Sequence, residues 1–175
     1  MAKPKYKSRA TRCAEATGTI SMAAEEIRGI AEELTTLLDG YDSDHEGATI
    51  LDAETSIEAL ELIAPVPGQF ESACEAQGEI DTLSEEMGSW RDNMQGTNLE
   101  STDKYSRVEE AASTLEDVSS TLDGVSEPEA PKKAEDGTMD IEKLRDYVTD
   151  LEDAAQELED TASDAENVEF PGMFG

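Results

Sequence analysis

Residues 141–165 read IEKLRDYVTDLEDAAQELEDTASDA. Within this stretch Ile141, Leu144, Val148, Leu151, Ala155, Leu158, Ala162 and Ala165 recur at steps of three and four. That spacing places one apolar stripe along one face of an α-helix. A second set, Glu142, Asp146, Asp150, Asp153, Glu157, Asp160 and Asp164, follows steps of 4, 4, 3, 4, 3 and 4. It predicts a row of carboxylates along the same helix. A disordered acidic chain has no reason to hold either period for four heptads.

The same alternation recurs upstream. Ile20, Ala23, Ile27, Ile30, Leu34 and Leu37 form one seam, and Ile50, Ala53, Ile57, Leu60 and Ala64 a shorter one. Ala73, Ala76, Ile80, Leu83, Met87, Trp90 and Met94 form the next, followed by Val108, Ala111, Leu115, Val118, Leu122 and Val125. Punctuation falls where the seams stop. Gly40, the run Pro65-Val66-Pro67-Gly68, Gly96 and Gly124 mark helix ends. Thr97 or Asn98 is placed to cap the fourth helix and Thr138 the last, with Asp140 and Glu142 in its first turn. No strand pattern is visible.

The expected fold is all-α, with four to five amphipathic helices and no sheet. Each stripe is narrow and rich in alanine, so a lone helix would be marginal in water. The stripes must meet in an antiparallel bundle or a coiled coil. The expected organisation is a basic tail over 1–12, an acidic bundle over 13–125 and a Pro-rich charged linker over 126–137. A long acidic helix over 138–168 packs on the bundle, and an apolar tail covers 169–175. Residues 23–41 and 107–125 share six identical positions at a spacing of 84 residues, twelve heptads. A true duplication predicts two similar helical hairpins related by a pseudo-twofold; the bland reading is two acidic heptad helices aligning by composition.

The 175 residues carry 43 acids and 13 bases, a net charge of −30. Lys3, Lys5, Lys7, Arg9 and Arg12 give the first twelve residues +5, leaving −35 on the rest. Such a body repels nucleic acid and anionic membranes and attracts basic surfaces. Cys13 and Cys74 are too few for a disulfide framework and read as small buried apolar residues. No apolar run has the length of a signal core or a membrane span. A cytoplasmic location, host cytoplasm for a viral protein, is the expectation.

Reactive constellations are absent from the sequence. His45 is the single histidine, and it lies in the acidic stretch Asp42-Ser43-Asp44-His45-Glu46-Gly47. No Gly-x-Ser-x-Gly elbow and no glycine-rich phosphate loop occurs. Asp42, Asp44, Glu46 and Gly47 match four positions of an EF-hand loop, but the position of the bidentate glutamate is Ala53. A weak cation loop at Asp42, Asp44 and Glu46 is the most this supports. The chain is expected to be no enzyme and to need no cofactor.

The acidic row is the most informative feature. Residues 140–169 hold 12 acids and only Lys143 and Arg145 as bases. Thirty helical residues span roughly 45 Å, so net charge falls about every 4.5 Å, against about 3.4 Å along one DNA strand. An ordinary solvated helix mixes signs into i,i+4 pairs, whereas like charges at i,i+3 and i,i+4 cost stability. Adaptation to high salt is the competing explanation, and low lysine with high Asp, Glu, Ala and Thr fits it.

In general character the chain resembles the acidic, helical DNA-mimic proteins of bacteriophages. The resemblance is one of type and carries no residue roles. It implies an inhibitory decoy whose acidic ridge occupies the basic nucleic-acid groove of a host defence protein. The partner would then be a basic protein surface, with no direct nucleic acid and no membrane. The alternative is a helical assembly or scaffold protein acting through coiled-coil contacts, an oligomer if the seams pair between chains. A third reading is an interaction module from a halophile. The basic segment Lys3–Arg9 is placed to fold back on acidic helices or to reach a separate acidic partner. The tail with Phe170, Met173 and Phe174 either caps the bundle or docks a partner.

Overall fold

A computed structural model describes residues 6–172. It is mostly helical, at 74%. The order is α1 (Arg9–Asp44), β1 (Ile50–Leu51), α2 (Ala53–Ile63), α3 (Val66–Met94), α4 (Asp103–Gly124), β2 (Met139–Asp140) and α5 (Ile141–Glu166). The chain divides into two compact units, each discontinuous in sequence.

The first unit joins residues 1–21, 73–125 and 158–175. Here α3 and α4 run antiparallel: Gln77 donates to Asp123, Ser119 donates to Asp81, and Gln95 Nε2 donates to the Tyr105 hydroxyl at 3.2 Å. As α3 advances its partner position on α4 recedes, which is how a helical hairpin registers. Ile20, Ile80, Leu83, Met87 and Leu115 fill its core. The start of α1 is held against α3 by Arg12, which donates to Glu79 and lies 2.7 Å from Glu86. Near the end of α5, the Ala165 carbonyl lies 3.5 Å from Cys13 Sγ.

The second unit joins residues 22–72 and 126–157. Arg28 reaches Gln156 at 3.4 Å, while Arg145 reaches Asp39 at 3.2 Å and also donates to Asp42. These crossings make α1 and α5 antiparallel within this unit. Ile27, Leu34, Leu38, Leu144 and Leu151 form its core.

Several sequence expectations are corrected. The expected absence of any sheet gives way to one ladder, with Ile50 opposite Asp140 and Leu51 opposite Met139. Two residues per strand are too few to leave an alternating pattern. Gly40 does not end α1, which continues to Asp44. A mid-helix glycine costs roughly 1 kcal/mol, and contacts on both sides of it offset that. Arg145 bonds Asp39 and Asp42, and the Tyr41 hydroxyl accepts from the Asp52 N–H at 3.2 Å.

The buried face of α2 is Ser56, Ala59 and Ile63, one position off the expected Ile57, Leu60 and Ala64. Its N-cap Asp52 accepts from the Thr55 N–H and sets the start of the helix two residues beyond buried Leu51. The Ser56 hydroxyl donates to the Asp52 carbonyl at 2.6 Å, so a polar residue is buried without an orphaned group. At the start of α4, Thr102 rather than Thr97 or Asn98 is the cap. Thr97 instead donates to the Met94 carbonyl in the turn that follows Gly96, whose φ is +71°. At α5 the expected cap Thr138 donates to Asp136, and Asp140 accepts from the Lys143 N–H at 3.1 Å. The remaining seams are buried nearly as the spacing predicts, the α5 seam in full. Leu38 replaces Leu37 in α1, Trp90 is only half-buried, and of the two cysteines expected to be buried Cys13 is and Cys74, one position past the α3 seam residue Ala73, is exposed.

Residues 126–138 form no helix. This passage is fixed at its far end by the Ala134 N–H on the Thr138 carbonyl and by Gly137, whose φ is +84°.

Candidate functional site

The acidic row stands on α5 because the opposite face carries the apolar seam. With Leu144, Leu151 and Leu158 sealed from solvent, the positions on the far side of the helix, about half a turn away, face outward. Glu142, Asp146, Asp150, Asp153 and Glu157 are exposed on the part of α5 in the second unit, and Asp160 and Asp164 on the part in the first. Within the second unit, Glu142 to Glu157 is 15 residues of helix, roughly 22 Å of rise.

Of the two bases in α5, Arg145 is directed away from this row. Its guanidinium pairs with Asp39 and Asp42 of α1, and those hydrogen bonds, Asp42 foremost, raise its pKa. Lys143 is exposed. The charge is unequal between units. The first carries eight bases and nineteen acids, net −11, and the second five and twenty-four, net −19. The helix with the densest carboxylate row therefore lies largely in the more acidic unit.

The basic N-terminal segment is partly placed. Lys7 pairs with Glu15 at 2.7 Å, and α1 starts at Arg9, inside the stretch expected to be a tail. Arg9 lies 3.6 Å from Glu86. Burial pulls the Arg12 pKa down, but hydrogen bonds to Glu79 and Glu86 more than offset this and leave it raised. Residues 1–5 lie outside the described residues, as do Met173 and Phe174 of the C-terminal tail. Phe170 is half-buried. Val168 and Glu169 border a small recess against Arg107 and Thr114 of α4.

Asp42 and Asp44 sit in the last turn of α1 and Glu46 just beyond it. A helical turn splays its carboxylates, and Asp42 is taken by Arg145. Among the described residues no group of three acids, histidines or cysteines is placed to hold a metal ion. His45 stacks on Tyr41, with ring centroids 4.1 Å apart.

Sequence reasoning missed a cavity of about 740 Å³ in the first unit, walled by Trp90, Met94, Leu99, Arg9 and Lys104. Trp90 was assigned to the seam by its spacing alone. The available signal was its size: the only tryptophan stands next to Ser89 and Arg91, where an apolar stripe has polar neighbours on both sides.

No family model, no curated protein and no solved structure matches this chain. Among the described residues no helix is long and apolar enough to cross a membrane.

Proposed function

We propose that this chain is a non-enzymatic interaction protein that presents the α5 carboxylate row to the basic nucleic-acid-binding surface of another protein and blocks it. The observation that carries this reading is the exposure of all seven row carboxylates on one helix, with Arg145 directed to α1 instead. Many Asp and Glu contacts to Lys and Arg give fast, steered association with steep salt dependence. We take the finer architecture to be an antiparallel helical bundle, supported by the α3–α4 register in one unit and the α1–α5 register in the other.

The experiment is affinity capture from lysate at low salt, with a parallel capture on E142Q/D146N/D150N/D153N/E157Q. The wild-type chain is expected to retain DNA-binding proteins, to lose them in moderate salt and to compete with DNA for them. Equal retention by the neutralised variant would exclude the row as the contact surface.

A second reading is a surface adapted to high salt. It is favoured by exposed acids beyond α5, among them Glu25, Glu26, Glu32 and Glu33 on α1, Glu58 and Glu61 on α2, and Glu109, Glu110 and Glu116 on α4. That reading expects unfolding in low salt and full helicity only near molar salt. A decoy expects full helicity at physiological ionic strength, so circular dichroism across a salt series separates the two.

A further inference from the structure

α2 is the shortest of the five helices, and six of its eleven residues are apolar, three acidic and none basic. Ala59 and Ile63 turn into the core, whereas Ile57 is 49% exposed and Leu62 half-buried. A helix with apolar side chains on several sides is ordinarily covered on several sides. The fold seals one side of α2.

Beside Leu62 a groove of about 540 Å³ opens between α1 and α2, and its lining belongs wholly to the second unit. Leu37 and Leu62 supply its apolar surface. Leu37 is the seam residue that the fold leaves half-buried in favour of Leu38. At Gly29 a Cβ would meet no atom within 4 Å, so the groove is open at that end. Gly29, Glu33 and Leu37 are spaced by four, so the groove follows α1 for two turns, roughly 12 Å. That length matches two turns of a docked helix, enough to seat one or two large apolar side chains.

The rim of the groove is acidic. Glu32 and Glu33 stand exposed on the α1 side, and exposed Glu58 lies one turn before Leu62 on α2. No base lines the groove among the described residues, and Arg28, next to Gly29, donates to Gln156 of α5. The α5 row offers charge alone, whereas this surface offers apolar area ringed by carboxylates. An apolar side chain flanked by lysine or arginine satisfies both features. The helices of a second copy carry the same excess of acids and would set carboxylate against carboxylate. Nucleic acid and anionic lipid are repelled for the same reason.

We propose that the α1–α2 groove docks a basic amphipathic helix of another protein, with an apolar side chain on Leu37 and Leu62 and lysine or arginine facing Glu32, Glu33 and Glu58. No residue of the groove belongs to the α5 row, so either surface can fail without the other.

The probe is a fluorescein-labelled helical peptide of leucine and lysine with its leucines on one face, titrated against the whole chain at physiological salt. Saturable binding is expected, and a peptide of the same composition with its leucines scattered should bind at least about tenfold more weakly. Gly29→Gln raises helix propensity and leaves the charge unchanged while laying a polar side chain over the open end of the groove. It should weaken the amphipathic peptide by about tenfold. E32Q/E33Q should weaken it at least about threefold more than E109Q/E110Q, an equal change of charge at exposed positions of α4. The chain with its α5 row neutralised should show the same Gly29→Gln effect. Equal affinity for the two peptides would overturn the proposal, as would unchanged affinity in Gly29→Gln or equal losses in the two glutamine pairs. So would a dimer in sedimentation that Gly29→Gln dissociates, because a second copy would then occupy the groove.

Discussion

Leu51 and Met139 face each other across the two-residue antiparallel ladder, and both are sealed from solvent. The pair joins the chain just before α2 to the chain just before α5. Leu51→Ala opens a cavity in a core that closes around it and is expected to cost about 2–5 kcal/mol. Ile50, opposite Asp140 and half exposed, should cost less than about 1 kcal/mol as alanine. Urea unfolding midpoints compare the two; equal losses would mean that the ladder does not set the burial.

Gly137 has φ +84°, and a Cβ there would lie 3.3 Å from Ala53 Cβ. Gly137→Ala therefore meets both left-handed backbone strain and a close contact, and should destabilise by about 1–3 kcal/mol. Gly78 is inside α3 with open space around its missing side chain. Gly78→Ala should stabilise by about 0.5–1 kcal/mol. The opposite signs, read from thermal midpoints, are the test.

Tyr147 is buried, and its phenol pKa is pushed up to about 12, first by burial and then by the charge of Glu127. A raised folded-state pKa means that this contribution is complete below the unfolded tyrosine value, about 10, and is lost as pH rises through the folded value. Spectrophotometric titration should show a phenol ionising near pH 12. Tyr147→Phe should remove that component and flatten the alkaline loss of stability.

Asp52 caps α2, and the hydrogen bonds from Thr55, the backbone N–H first, hold its carboxyl below the usual aspartate range. A depressed folded pKa gives stability that is complete above the unfolded value, about 3.9, and is lost as pH falls through the folded one. Asp52→Asn keeps an acceptor for Thr55 while removing the proton. Its stability should fall less steeply than that of the wild type in acid, and parallel curves would remove the cap as the cause.

Asp150 and Asp153 are exposed, and each has acidic neighbours three or four residues away on α5. Neutralising both to Asn relieves like-charge repulsion, and stability at low salt should rise by a few tenths of a kcal/mol despite asparagine's poor helix propensity. The gain should fade as salt is added.

The long seams were readable because their period alone determines which face is buried. Every seam position of α5 from Ile141 to Ala165 is buried. The α2 face was not readable, since Ser56 and Ala59 are buried for their small size and Ser56 bonds its own helix start. The ladder was hidden by its length, and the extension of α1 through Gly40 by contacts from Arg145, distant in sequence. For the candidate surface, the spacing of Glu142 to Asp164 was sufficient to place all seven carboxylates outside. The Trp90 cavity depends on Arg9 and Lys104 meeting from different helices, and no linear pattern records that.

Lys132 and Lys133 stand exposed in the passage between α4 and β2. Tryptic nicking there would sever the chain while leaving Leu51 against Met139 and Arg145 against Asp39. The two fragments should therefore co-elute as one particle and separate only in denaturant. Expressed as separate polypeptides, they offer a split protein whose reassembly is set by the contacts of α5, from Arg145 on Asp39 to the Ala165 carbonyl beside Cys13.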